Sequence, residues 1–391
     1  MPKAAALFAA VCAAIAAAPA AAAPPEIQAH RGGTVSNGKP AFSEESLEAY
    51  RHAAANGFVL EVDAKLTKDG VPVAIHDATV DRTTNCTGEV RSFTLAALKA
   101  CRADVLGSPG GGLATRKARP KARIATIAEV LELARLTGAR VNLEIKNLPT
   151  DPDWDPTPGY ANRVMDVVKA TRLSRSQLLI QSFIPANLDV AKRRIPHVRT
   201  SVLALAVSDA LVTLAKDKGY AYISPQWPFS AAFVGQAHRA GALVLPYTLN
   251  KRADVRAAAR AKVDGLITDD PLMAAAALGL HPARALAAKL SRHLGRIVAS
   301  GRLRLPAGVS HRKGCAGKIT LRVLGAKREL RASRTHVQRD CTYRLAVTVA
   351  RGAPAELIAT VGFGGNAKLL PRLVGPRPVP TAIPRAIPHE A

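Results

Sequence analysis

Between Glu26 and Leu280 the chain alternates short apolar runs with longer amphipathic stretches, and this constrains its fold more than any other feature. The runs Ile27–Ala29, Phe58–Val62, Val141–Ile145, Leu178–Ile180, Val202–Ala206, Ala221–Ile223, Leu243–Leu245 and Gly265–Ile267 have the length and composition of buried strands. Between them, stretches such as Ser46–Ala55, Ile127–Leu136, Ala161–Thr171, Asp209–Lys216 and Ala231–Arg239 read as helices. Eight such strands over about 250 residues predict an α/β fold, a (β/α)8 TIM barrel spanning residues 24–280. The alternative is an open, doubly wound sheet. That fold places a glycine-rich phosphate turn after its first strand, and Gly32-Gly33 makes a poor one.

Both ends of the chain follow other rules. Lys3, the apolar run Ala4–Ala18 and the small residues Ala21-Ala22-Ala23 form a secretory signal over residues 1–23, too short to be a spanning helix with flanks. The mature chain is therefore expected to be secreted or extracytoplasmic, with no transmembrane segment. Residues 281–300 read as a basic linker helix. Two-residue periods at Ile319–Leu324, Arg344–Val349 and Leu357–Val361 predict a small all-β, sandwich-like domain over 301–370. The Pro-rich stretch 371–391 reads as a disordered tail, and the basic segment Asp104–Ala122 as a flexible insertion.

Four cysteines remain after signal removal. An even number in an exported chain predicts two disulfides. Nearest-neighbour pairing, Cys86–Cys101 and Cys315–Cys341, keeps each bridge within one domain. No Cys-x-x-Cys spacing accompanies histidine, which argues against zinc.

The net charge of +26 is unevenly spread: from His281 onward, 21 lysines and arginines face four carboxylates. Only 4% of residues are aromatic, too few for a base-stacking platform, so no nucleic-acid partner is expected. The charge reads either as a solvated surface or as contact between the basic β domain and anionic envelope polymers.

The chemistry concentrates at the ends of the first three predicted strands. Glu61-Val-Asp63 ends the second, and its spacing of two puts both carboxylates on one face. Glu144-Ile-Lys146 repeats the arrangement on the third. Converging carboxylates at a barrel mouth suit a hard cation, Ca²⁺ or Mg²⁺; the alternative is a rim salt-bridged by Arg31 and Lys146. His30 follows the first strand and His76 follows Val71–Ile75, so two imidazoles reach the same rim and supply an acid and a base. Arg31 offers a planar fork for phosphate. His52, His197 and His238 lie in helical or connecting segments.

These residues fall within longer motifs: His30-Arg31-Gly32, Ser43-Glu44-Glu45-Ser46-Leu47, Glu61-Val62-Asp63, Leu66-Thr67-Lys68-Asp69-Gly70, His76-Asp77 and Asp81–Gly88. Leu143–Lys146, Gln181-Ser182-Phe183 and Asp264–Pro271 follow in order. Over residues 27–275 the chain resembles the glycerophosphodiester phosphodiesterase family. The resemblance implies hydrolysis of a glycerophosphodiester, small or polymeric, to glycerol 3-phosphate and an alcohol. It implies Glu61, Asp63 and Glu144 as ligands of Ca²⁺ or Mg²⁺ and His30 and His76 as the acid–base pair acting through a cyclic phosphate. Arg31, Lys146 and Glu44 become substrate-binding groups. The chain departs from the family in Ser43-Glu44-Glu45-Ser46, where a Pro-Glu-Asn-Thr segment is usual, and in Tyr247-Thr248-Leu249-Asn250, where many members carry tryptophan. Two other functions compete with this one. One is a phospholipase D-like enzyme acting on lysophospholipids or sphingolipids, which would want an aromatic lip. The other is a non-catalytic binder of the anionic envelope.

Overall fold

A computed structural model of the chain describes residues 24–103, 122–293, 295–325, 329–350 and 356–380. The expected signal at 1–23, the insertion at 104–121 and the last residues, 381–391, lie outside the described residues. Eight parallel strands form the first unit: β1 (Glu26–Ala29), β2 (Val59–Leu66), β3 (Val141–Ile145), β4 (Leu178–Ser182), β5 (Arg199–Ala204), β6 (Tyr222–Pro225), β7 (Leu243–Val244) and β8 (Gly265–Thr268). Their order is β7-β6-β5-β4-β3-β2-β1-β8. Backbone bonds from Asp264 N–H to the Val244 carbonyl (3.0 Å) and from Ile267 N–H to that of Pro246 (2.9 Å) link β8 to β7 and its extension. The expected TIM barrel is the fold.

The helices on the outer wall begin and end where the sequence supplies caps. Helix α1 (Leu47–Ala55) starts at Ser46, whose hydroxyl accepts the Ala49 N–H; the short α2 is Leu95–Ala100. Helix α3 (Ile127–Thr137) opens with a capping box between Thr126 and Glu129 and closes on Gly138 at φ 80°. Six further helices, α4 (Gly159–Thr171), α5 (Pro185–Arg194), α6 (Asp209–Lys218), α7 (Ala231–Arg239), α8 (Arg252–Arg260) and α9 (Pro271–Ala277), continue the ring. No helix among the described residues is long and apolar enough to cross a membrane.

One strand runs further than expected. β2 does not end at Val62 but continues to Leu66, where Ala64–Leu66 pair antiparallel with Pro72–Ala74. Lys65, fully buried in this extension, is held by Asp151 (2.5 Å) and Asp153 (2.9 Å). The hairpin carries Val73 and Ile75 into a small separate core and delivers His76 to the rim.

The C-terminal region folds into two antiparallel sheets. β9 (Ala285–His293), β10 (Arg296–Arg304) and β13 (Thr342–Thr348) form one, in the order β9-β10-β13. β12 (Glu329–His336), β11 (Lys318–Leu324), β14 (Ile358–Phe363) and β15 (Arg372–Pro378) form the other, in that order. Both contribute to one apolar core containing Ile297, Leu303, Leu321, Val347, Val361 and Phe363, which makes a sandwich. Two expectations are corrected here. The linker helix at 281–300 is a β-hairpin. Its alanines favour helix, but alternate residues Leu286, Ile297 and Ala299 find an apolar sheet interior, and burial outweighs the small intrinsic preference. The start of the Pro-rich tail is an edge strand, β15, where Pro376 and Pro378 are tolerated because one side of an edge strand needs no donors.

Both expected disulfides, Cys86–Cys101 and Cys315–Cys341, are present. The second ties the turn after β10 to the start of β13, closing a separation of 26 residues. In the loop-entropy description such a closure is worth about 3.5 kcal/mol. Cys315→Ser with Cys341→Ser is therefore expected to lower the thermal midpoint by several degrees, and reduction of wild-type protein, which also opens Cys86–Cys101, should lower it at least as far.

Candidate active site

Register builds the site. Ala29 of β1 pairs with Leu60 of β2, which brings His30 beside Glu61, and Asp63 of β2 pairs with Glu144 of β3. The three carboxylates Glu61, Asp63 and Glu144 are buried, and one ligand oxygen from each lies within 4.8 Å of the others. Glu61 accepts the Arg31 backbone N–H (2.9 Å) and the Gln181 amide (2.8 Å). Below it Asn142 donates to both Gln28 and Gln181 at 2.8 Å. The other half of the barrel interior is apolar, with Leu179, Tyr222, Leu245 and Ile267 in contact.

Two buried cations stand among these acids. Lys146 Nζ is 3.2 Å from Glu144 and 3.5 Å from Asp63, and Arg31 Nε is 3.4 Å from Asp63. Burial, offset in part by Lys146 but reinforced by Asp63 and Glu61, raises the Glu144 pKa to about 8. Burial and Asp63 raise that of Glu61 to about 7. For Asp63 burial acts upward too, but Lys146, His76 and Arg31 outweigh it and hold it well below its usual range.

The two histidines are matched. His30 Nδ1 donates to Asp269 and His76 Nδ1 to Asp77, each at 2.6 Å, so in each ring Nε2 is left for the cavity. Their surroundings push them apart. Burial and Arg31 lower the His30 pKa, but the charge and hydrogen bond of Asp269, with Glu61, outweigh them and the net shift is upward. Burial, Lys146 and Arg31 depress His76 to about 4.

His30, Arg31, Glu61, His76, Glu144, Lys146, Gln181 and Asp269 line one cavity of about 410 Å³ at the C-terminal end of the barrel strands, while Asp63 and Asp77 stand behind its wall. Its opposite wall is apolar and aromatic, formed by Phe183, Leu203, Trp227, Tyr247 and Ile267. Three of the chain's sixteen aromatic residues, Phe183, Trp227 and Tyr247, stand on this wall.

Expected site residues His30, Arg31, Glu61, His76, Glu144 and Lys146 meet here, with Asp63 behind them. Glu44 does not line the cavity. It takes a two-point bond from Arg82 (2.6 and 2.7 Å) and lies 3.4 Å from Arg31 Nη1, so it stands behind the arginine it orients. Its neighbour Glu45 is buried at φ 57° and accepts the Asp63 N–H at 3.1 Å and the Tyr50 hydroxyl. Sequence reasoning assigned no role to Asp269, Asp77, Gln181 or Asn250. The available signal was position: Asp77 follows His76, and Asp269 follows β8, the barrel neighbour of β1. Asn250 holds Asp269 through its amide, 2.6 Å away.

Fold and mouth together define a (β/α)8 barrel with paired imidazoles and clustered carboxylates at the C-terminal ends of its strands. Residues 30–273 match the Glycerophosphoryl diester phosphodiesterase family, and the chain belongs to it. It is similar to the glycerophosphodiester phosphodiesterase of Caldanaerobacter subterraneus subsp. tengcongensis, with 31% identity over 62% of this chain and 93% of the relative. It is also similar to that of Bacillus altitudinis, with 28% identity over 63% and 95%. Among solved structures, an Oleispira antarctica phosphodiesterase in complex with the product sn-glycerol-3-phosphate shares the fold at TM-score 0.54. It is 24% identical, over 65% of this chain and 97% of that one.

The turn that presents His30 depends on Gly32. It has φ +90°, and a Cβ there would come 2.7 Å from the Ala49 Cβ on α1. Gly32→Ala is expected to cost about 1–3 kcal/mol in unfolding free energy. It should also lower kcat through displacement of His30 and Arg31, measured by denaturant unfolding beside steady-state kinetics.

Proposed function

We propose that this chain is an exported, divalent-metal-dependent phosphodiesterase that hydrolyses glycerophosphodiesters to glycerol 3-phosphate and an alcohol. The carrying observation is the pair of carboxylate-held histidines facing one cavity over the buried cluster of Glu61, Asp63 and Glu144. Export rests on the sequence of residues 1–23 and accords with two disulfides.

The cluster fits a hard cation. Asp63 Oδ2 is buried without a hydrogen bond, and Glu61 and Glu144 hold raised pKa values although Arg31 and Lys146 stand close by. The two side-chain cations thus leave the acids under-neutralised, and Glu61, Asp63 and Glu144 are the residues that would hold Ca²⁺ or Mg²⁺. When bound, such an ion supplies positive charge to phosphate oxygens.

The residues of the chain divide the rest of the work. Neutral His76 accepts the proton of the glycerol 2-hydroxyl as that oxygen attacks phosphorus. Protonated His30 gives its proton to the alcohol oxygen as its bond to phosphorus breaks, leaving a cyclic phosphate. Water then opens the ring with the roles exchanged: His30 takes the water proton and His76 returns one to the 2-oxygen. Arg31 and Lys146 neutralise phosphate, and the aromatic wall receives the alcohol.

The same wall, with Leu205 72% exposed just after β5, supports a second reading, the same chemistry on a lysophospholipid. Turnover of lysophosphatidylcholine with none of glycerophosphocholine would favour it.

Purified protein with Ca²⁺ is expected to release glycerol 3-phosphate from glycerophosphocholine and to stop on chelation; failure with every glycerophosphodiester and glycerol-phosphate polymer sinks the proposal. His30→Ala and His76→Ala should each lower the rate by at least about 10²-fold. His30 acts as acid only while protonated and His76 as base only while neutral, so the rate is full between their pKa values and falls as pH rises through that of His30. Asp269 raises that pKa. Asp269→Asn should therefore move the alkaline limb of kcat/KM to lower pH, whereas a rate loss without a shift would contradict the role. Filling the cluster must expel protons held by Glu61 and Glu144 near neutrality. Calorimetric titrations with Ca²⁺ at pH 7 in buffers of different ionisation enthalpy should accordingly give different apparent enthalpies.

A further inference from the structure

The two sheets of the C-terminal sandwich have different outer faces. The four-stranded sheet turns toward the barrel: Arg322 of β11 donates to the Arg135 carbonyl in the last turn of α3 (3.2 Å), and Arg372 of β15 donates to Asn56 just after α1 (2.8 Å). Barrel helices run antiparallel to the strands, so these helix ends lie at the end of the barrel opposite the mouth. The outer face of the three-stranded sheet is left to solvent.

Register determines what that face carries. Leu286, Ile297, Ala299, Leu303, Leu345 and Val347 point into the core. The alternate residues therefore share the outer face, since successive side chains on a strand point to opposite sides. They include Lys289 and His293 on β9, Arg296, Arg302 and Arg304 on β10, and Arg344 on β13, all exposed. Lys289 and Arg344 flank Ser300 in one row, and Arg302 sits between Ala287 and Thr342 in the next. Among the described residues no carboxylate or aromatic residue shares the face. Asp340, at its edge, is bound to the hydroxyl and backbone N–H of Thr342 and lies near enough to Arg302 to feel its charge, so one carboxylate offsets part of the positive charge there. Among the described residues none of these lysine and arginine side chains forms an ion pair. Lys289 and Arg344 thus stand two strand spacings apart, about 10 Å, and Arg302 and Arg304 about 7 Å apart along one strand, so the cations form an open, largely unneutralised array.

We propose that this face docks a flexible phosphodiester polymer without bases, of the polyol-phosphate kind, and holds the enzyme on it by the end remote from its active site. Charge complementarity selects a polyanion, and the small and hydroxyl residues between the cations allow close approach of a thin chain. Single-stranded nucleic acid is disfavoured because nothing on the face stacks bases. A membrane surface is disfavoured because interfacial docking buries apolar or aromatic side chains, and the face has none of the larger ones. The polyol component rests on the proposed glycerophosphodiester reading of the barrel; the polyanion surface does not.

The test is binding of the full chain to immobilised poly(glycerol phosphate) across a range of salt. Wild-type protein should bind tightly at low salt and release as salt rises. Changing Lys289→Gln, Arg296→Gln, Arg302→Gln and Arg344→Gln together removes four contacts. At about 0.7 per contact, this should lower the slope of log affinity against log salt by about 3. Hydrolysis of glycerophosphocholine should be unchanged. A control with four exposed barrel charges removed (Lys169→Gln, Arg172→Gln, Lys216→Gln, Arg239→Gln) should keep the wild-type slope. The proposal is overturned by salt-insensitive or absent binding, by an equal loss in the control, or by tighter binding to duplex DNA or anionic vesicles at equal charge. Retention is read without turnover, so a chain that binds the polymer but cleaves no diester upholds the surface and refutes only the barrel reading.

Discussion

Five buried ionisable groups at the barrel mouth, Glu61, Asp63, Glu144, Arg31 and Lys146, depend on one another for their charge, and the rest of the site is arranged around them. Taking a carboxylate out of water costs several kcal/mol unless opposite charge compensates, and here two cations serve three acids. Asp63, between Arg31 and Lys146, takes most of that compensation and stays ionised. Glu61 and Glu144 are pushed up by burial and by their acidic neighbours. The imbalance is poised for one further positive charge. The pairing of β1, β2 and β3 supports it, because a slip of one residue would turn Asp63 away from Glu144.

The barrel interior is divided in the same spirit. Gln28, Asn142 and Gln181 make a hydrogen-bonded floor under the carboxylates, while Leu179, Tyr222, Leu245 and Ile267 fill the other half. The mouth inherits this division, with ionic groups on one wall and Phe183, Trp227 and Tyr247 on the other. A diester has the same two ends, an anionic phosphate and an alcohol of variable character. Within the ionic wall, opposite pKa shifts make His30 easier and His76 harder to protonate, although the side chain is the same.

The C-terminal sandwich meets the barrel through polar contacts at helix ends. A cation near a helix C-terminus is favourable, since the last carbonyls lack partners and the dipole is negative there. Arg322 at the end of α3 meets that need, and Arg372 bonds the Asn56 side chain that caps α1. Leu370 also joins the barrel core, so the link has an apolar component. The attachment leaves the mouth clear of the second unit.

Much of this was legible in the chain itself. Alternation of apolar runs predicted eight strands and a barrel because burial on both faces demands continuous apolar stretches whatever the partners. Glu61-Val-Asp63 announced one face because strand periodicity is local, and the even cysteines paired as neighbours. Asp269 was not legible as the partner of His30, since 239 residues separate them and only barrel closure makes β8 the neighbour of β1. The hairpin of β9 and β10 read as helix because alanine-rich sequence leaves the choice to whatever surface it meets. The twelve residues from Leu280 to Ser291 carry no signal of the sheet they complete. The Pro-rich segment at 372–378 likewise becomes a strand only because β14 offers it an edge. The sequence alone thus determined which groups could do chemistry and the local periods of the elements that carry them, since both are properties of neighbouring residues. Tertiary structure decided which carboxylate holds His30, which aromatics line the mouth and which charges stay unpaired, because pairing and burial join residues far apart in the chain.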